Sequence, residues 1–288
     1  MNIEPFVASL ERQKLNCEGI VVLQHGKKAA EYRWIPQAPR NCFSVSKSFI
    51  SIAVGMAVER GKLSLNGRLA DAFPELMPRR PGKRLTAVTL EHLLTMTRGH
   101  SAFSRPATVA EAAAQPLKYP PGSRFVYDNG STFLASAMFT RGMGINARDF
   151  LLNSLFHPLG IPDPEWEESP DGHTVGATGL MLTTSDLARF GQFLLQRGNW
   201  RGKQLVSPSW IESAGRPHAR TGLRRPDCDL GYGLCFWPSR HGAYRADGRN
   251  GQFVIVLPRQ DAVVAINSNE LKAFPILYAV WDEILPLL

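Results

Sequence analysis

The amino-acid sequence predicts an α+β protein: one antiparallel sheet assembled from both ends of the chain, flanked by N- and C-terminal helices, with a helical lobe inserted between. Three observations lead there. Apolar, β-prone runs punctuated by glycine lie before residue 35 and return only after residue 230. The stretch between them alternates helical periodicity with loops rich in proline and glycine. Both chain ends also carry segments of helical spacing. The expected division is a single domain over 1–288, with an α/β lobe of about 1–60 and 206–288 and a helical lobe of about 61–205.

Taken in order, residues 2–15 place Ile3, Phe6, Val7 and Leu10 on one helical face. Gly19–Gly26 and Lys28–Trp34 read as two strands around a turn at His25-Gly26-Lys27. From Ser46 to Arg60 the sequence is apolar nearly all round, which predicts a buried helix, and Gly61 fits the position just past its end. Helices are expected within Leu90–Met96, Ser131–Arg141, Ala147–Phe156 and Ser185–Arg197, the last opened by Thr184 or Ser185 as its cap. Strands are expected at Gly231–Trp237, Gly242–Ala246, Gln252–Pro258 and Ala262–Asn267, then a closing helix over about 271–287. The cleft between sheet and insert is the natural place for a small-molecule site.

Composition excludes the extremes. With 44% hydrophobic and 20% charged residues the chain is ordinary globular material. Its longest nearly apolar run, Phe49–Val58, is too short to span a bilayer. Met1–Arg12 is mixed in character and lacks the pattern of a secretory leader, so a cytoplasmic location is expected. Cys17, Cys42, Cys228 and Cys235 are scattered, with no Cys-x-x-Cys, and are expected to be reduced and buried. The net charge of +8 gathers in short arginine clusters, among them Arg224-Arg225 and Arg240, Arg245, Arg249. No nucleic-acid-binding signature accompanies them, so the reading is a solvated basic surface with neither nucleic acid nor membrane as partner. A narrower reading has some of these arginines favour a substrate carboxylate. No metal or cofactor motif is present, and none is expected to be needed.

Three short segments carry chemistry. Ser44 and Lys47 lie three residues apart where the buried helix begins, so they share a face. A serine hydroxyl needs a base to take its proton, and a lysine serves once burial or nearby cations lower its pKa. The alternative is Ser44 or Ser46 as a plain helix cap, with Lys47 in solvent. Tyr127-Asp128-Asn129 follows the turn-forming Pro120-Pro121-Gly122-Ser123 and is expected on a loop. There Tyr127 could relay a proton while Asn129 orients substrate, or the segment is simply a buried tyrosine beside an Asn-Gly turn. Ala246–Gln252 holds glycines that let backbone approach a ligand, and one of its N–H groups could join that of Ser44 in an oxyanion hole; a hairpin turn is the alternative.

Ser44-x-x-Lys47, Tyr127-x-Asn129 and a late glycine-bearing strand together resemble the serine β-lactamase and penicillin-binding-protein superfamily. The tyrosine points to the class C β-lactamase-related branch, with its esterases, D-aminopeptidases and 6-aminohexanoate-dimer hydrolases. Family-like blocks extend along the chain, at Phe43–Phe49, Glu59–Leu65, Leu90–Thr97, Leu155–Ile161, Gly179–Ala188 and Gly248–Pro258. The resemblance implies a β-lactamase/transpeptidase-like fold and an acyl-enzyme route. In it Ser44 attacks a carbonyl, Lys47 and Tyr127 handle protons, Asn129 contacts the acyl portion, and the N–H groups of Ser44 and Arg249 hold the oxyanion beside Gly248. Where many relatives have Lys-Thr-Gly or His-Thr-Gly, this chain has Ala246-Asp247-Gly248 or, on a shifted alignment, Arg249-Asn250-Gly251.

The leading expectation is therefore a cytoplasmic serine hydrolase acting on a small ester or amide. The alternatives are a β-lactamase or D,D-peptidase, and a catalytically silent binding or regulatory protein of the same fold. Nothing in the sequence bears on the oligomeric state.

Overall fold

The structure, a computed structural model, describes all residues from Met1 to Leu288. Six strands form one sheet, all neighbours antiparallel. They are β1 (Cys17–Gln24), β2 (Lys27–Arg33), β3 (Trp237–Pro238), β4 (Tyr244–Gly248), β5 (Gln252–Leu257) and β6 (Ala262–Ser268), in the spatial order β2-β1-β6-β5-β4-β3. The ends of the chain meet at β1 and β6, where Val21 pairs with Ala265 and Val22 with Val264. His25 and Gly26, both at positive φ, close the β1–β2 hairpin.

Both faces of the sheet are covered. Alternate residues point to opposite sides, so Phe253, Ile255 and Leu257 face one core, while Val254 and Val256 face the other. The first core is closed by helix α1 (Glu4–Arg12), through Phe6 and Leu10, and by the C-terminal helices, through Ile276, Trp281 and Ile284. The second core is larger and holds α2 (Ser46–Glu59), α3 (Asn129–Met143) and α4 (Thr184–Leu195). In α2 even Ser46, Lys47, Ser48 and Ser51 are buried, as its lack of a polar face predicts. Phe49 from α2 stacks on Phe190 from α4 at 3.8 Å between ring centres.

Several elements differ from expectation, each for a local reason. Residues 184–195 fell within the span expected for the helical insert, yet α4 packs on the sheet. Gly191 allows this, because a Cβ there would come within 2.4 Å of Val263 and 2.9 Å of Val254. Its cap is Thr183 rather than Thr184 or Ser185. Thr183 Oγ1 accepts the Asp186 N–H while Asp186 accepts the Thr183 N–H, a reciprocal box. The strand expected at Gly231–Trp237 pairs in the sheet only at Trp237–Pro238. Before it the backbone turns through positive φ at Gly231 and Cys235, and the Cys235 N–H donates to the Leu94 carbonyl instead. The closing helix is regular over Phe274–Ala279 (α5), widens at Val280–Ile284 and tightens at Leu285–Leu287, where Pro286 cannot supply the next N–H. All four cysteines are buried and unpaired. No helix is long and apolar enough to cross a membrane.

Candidate active site

Ser44 sits in the middle of a single tight turn, Phe43–Val45, that runs directly into α2. Phe43 adopts φ of 46°, an unusual conformation for a phenylalanine and one that commonly marks functional turns. One helical turn on, Lys47 is fully buried, with its Nζ 3.1 Å from Ser44 Oγ. The same Nζ donates to Asn129 Oδ1 and to the Ala177 carbonyl, each at 2.7 Å. Both partners are pure acceptors. A neutral amine has two N–H groups and one lone pair, so those two bonds use its hydrogens and leave the lone pair for the Ser44 hydroxyl. Burial away from water pushes the Lys47 pKa down to about 7; Arg105 acts in the same direction, and Asp128 resists.

Tyr127 and Asn129 are not on a loop as a pair. Asp128 caps α3, Asn129 is its first residue, and Tyr127 immediately precedes the cap. The tripeptide is therefore fixed by its middle member. Asp128 accepts the N–H groups of Gly130 and Ser131, binds Ser104, and forms an ion pair with Arg98 at 2.7 Å. Asp128 and Arg98 are 0% and 3% exposed. Burial alone would raise the Asp128 pKa, but Arg98 and the hydroxyls of Ser104 and Ser131 hold it below the ordinary range. Tyr127 stacks on Trp237 at 5.7 Å, and Lys47 Nζ lies 5.2 Å from its ring centre. Burial raises the Tyr127 pKa, which the Ser44 hydroxyl beside it partly opposes.

The late strand reaches the same place. Gly248, at the end of β4, abuts the Ser44 turn so closely that a Cβ there would lie 2.3 Å from the Cys42 carbonyl oxygen. Of the two triplets, Ala246-Asp247-Gly248 is the one on the strand beside Ser44. Arg249, Asn250 and Gly251 form the turn into β5, with positive φ at the last two. The Arg249 N–H has no acceptor in the protein. A cavity of about 440 Å³ opens over Ser44, lined also by Tyr127, Asn129, Trp237, Asp247 and Arg249. Arg105 and Arg225 join its wall. Neither they nor Arg249 forms an ion pair.

All six residues singled out from the sequence thus meet at one cleft. Ala177, Trp237, Asp247 and Arg105 were not foreseen. A backbone carbonyl leaves no mark on sequence, and Trp237 and Arg105 belong to no motif. Asp247 alone was visible, as a departure from the usual triplet.

The sequence profile of the Beta-lactamase family matches residues 7–283. A beta-lactamase of Escherichia coli K12 is 25% identical over 268 residues, covering 80% of this chain and 68% of that protein. A lovastatin esterase of Penicillium rubens is 28% identical over 159 residues, covering 43% of this chain and 38% of the esterase. Among solved structures, a candidate 6-aminohexanoate-dimer hydrolase from Bacillus anthracis superposes with a TM-score of 0.81 at 18% identity, covering 100% of this chain and 85% of that one. That likeness establishes the β-lactamase/transpeptidase-like fold.

Proposed function

The chain belongs to the Beta-lactamase family, and we propose that it is a serine hydrolase that forms an acyl-enzyme on Ser44 and cleaves a small ester or amide. One observation carries the reading: a buried Lys47 amine, pushed down to about 7, lies 2.7 Å from two acceptors, Asn129 Oδ1 and the Ala177 carbonyl, and 3.1 Å from Ser44 Oγ, so that in its neutral form the lone pair is left for Ser44. Ser44 Oγ attacks the substrate carbonyl carbon as its proton passes to Lys47. The resulting oxyanion is received by the N–H groups of Ser44 and Arg249, next to Gly248. The C–O or C–N bond to the leaving group then breaks, and the proton reaches that group from Lys47 by way of Tyr127. Water adds to the acyl-enzyme by the same route in reverse, releasing the acid and restoring Ser44. Asn129 holds Lys47 and faces the acyl group.

A β-lactamase or D,D-peptidase is the second reading, favoured by the names of relatives such as the E. coli protein. Against it stands the Asp247 carboxyl group at the strand position beside Ser44, with no cation in that place to receive a substrate carboxylate. A silent binding protein of this fold would have no use for a lysine so far from its ordinary pKa.

Intact-mass analysis after a fluorophosphonate probe tests the reading. Wild type is expected to gain one adduct, mapped to Ser44, and Ser44→Ala none. An unlabelled, folded wild type would sink the hydrolase assignment. Because Lys47 must be neutral to act, kcat/KM is expected to rise as pH passes through about 7. A rising limb only near the ordinary lysine pKa of about 10.4 would remove Lys47 as the base.

A further inference from the structure

The strand position beside Ser44 carries the Asp247 carboxyl group; burial raises its pKa, while the buried Arg245 paired with it favours the charged form. Arg245 and Asp247 lie two apart on β4 and so share a face. The Arg245 side chain is 0% exposed and that of Asp247 20%, on the wall of the Ser44 cavity. Arg245 Nε donates to Asp247 Oδ2 at 2.9 Å. Its Nη1 donates to the Asp227 carbonyl at 2.8 Å and to Ser239 Oγ at 2.7 Å, and its guanidinium lies 5.7 Å from the centre of the Trp237 ring. One arginine thereby ties the strand to the loop and the aromatic wall that bound the cavity. Asp247 Oδ1 receives no donor from the protein.

We infer that Asp247 is a specificity-determining residue, which disfavours a carboxylate on the acyl group beside β4 and favours a hydrogen-bond donor there, with Arg245 as the positioning residue that holds it. The inference rests on the reading of Ser44 as nucleophile. At a distance the two charges of the pair cancel. Within hydrogen-bond reach they do not, because Arg245 engages Oδ2 and leaves Oδ1 without a donor. An incoming N–H or O–H satisfies that oxygen, whereas an incoming carboxylate meets like charge in a partly desolvated cleft. The unpaired Arg105, Arg225 and Arg249 draw anions to the cleft as a whole, so the selection is by position within it.

The test compares hydrolysis of ethyl butyrate and monoethyl succinate, which differ at the end of the acyl chain by a methyl against a carboxylate. Asp247→Asn is expected to raise kcat/KM for the succinate relative to the butyrate by about tenfold over wild type, mostly through KM. The double variant Arg245→Met, Asp247→Asn removes the whole pair and is expected to shift the ratio the same way, which keeps the test open if the single variant does not fold. An unchanged ratio in the variants, with Ser44 still labelled by fluorophosphonate, overturns the inference. Loss of labelling in wild type overturns the nucleophile reading instead, so the two failures are distinct.

Discussion

Replacing Lys47 by methionine is expected to cut turnover severely and to shift stability in the variant's favour as the pH falls into mild acid. The kinetic half follows from losing the base, worth about 10²–10⁴-fold. The stability half follows from burial. In the unfolded chain a lysine titrates near 10.4, but in the fold Lys47 does so at about 7, so between those values the unfolded state holds a proton the folded state lacks. Wild-type stability therefore climbs with pH across that window. Below it the folded protein bears the full cost of a buried charge, at most about 5 kcal/mol. Methionine carries no charge and escapes the cost, although Asn129 Oδ1 and the Ala177 carbonyl lose their donor, at about 1–3 kcal/mol each. The pH slope is free of that offset. The stability of Lys47→Met relative to wild type is expected to fall by about 2–3 kcal/mol between roughly pH 6 and pH 9, read from urea midpoints. A difference independent of pH would mean that Lys47 keeps its ordinary pKa.

Asp128→Ala is expected to be the most damaging change near the site, although Asp128 touches neither Ser44 nor Lys47. It strips the cap from α3, worth about 1 kcal/mol, and leaves Arg98 buried without a carboxylate. Breaking a buried pair from one side costs about 3–5 kcal/mol. Acylation should fall as well, since Tyr127 and Asn129 flank the cap. Asp128→Asn should recover part of the capping and little of the ion-pair energy. Urea unfolding checks both, and a loss below about 1 kcal/mol for the alanine variant would contradict the role assigned to the pair.

Legibility from sequence followed locality. The β1–β2 hairpin, the buried α2 and the run of β4, β5 and β6 were readable because turn residues and apolar periodicity act over a few positions. So was the pairing of Ser44 with Lys47, which needs only one helical turn. The segment 231–237 misled because its apolar residues are buried by a loop folded against Leu94 and Ala214 rather than by a strand ladder, and composition does not separate the two. Asn129-Gly130 resembles a turn, and only the partners gathered around Asp128 make it a helix start. The setting of α4 on the sheet depends on Val254 and Val263, some seventy residues away in the chain. What gives Lys47 its character, burial among segments far apart in the chain, is likewise tertiary.

The adjacency of β1 and β6 has a further consequence during synthesis. On the ribosome β1 emerges long before its partner; at about 5–20 residues per second, some 240 intervening residues impose a wait of roughly ten to fifty seconds. Through that interval β1 has only β2 beside it and one edge open to other chains. The Ser44 turn meanwhile lacks Gly248 against which to close. Newly made chains should therefore need guarding until β6 has emerged, and should gain their reactive serine only once β4 has been made and docked.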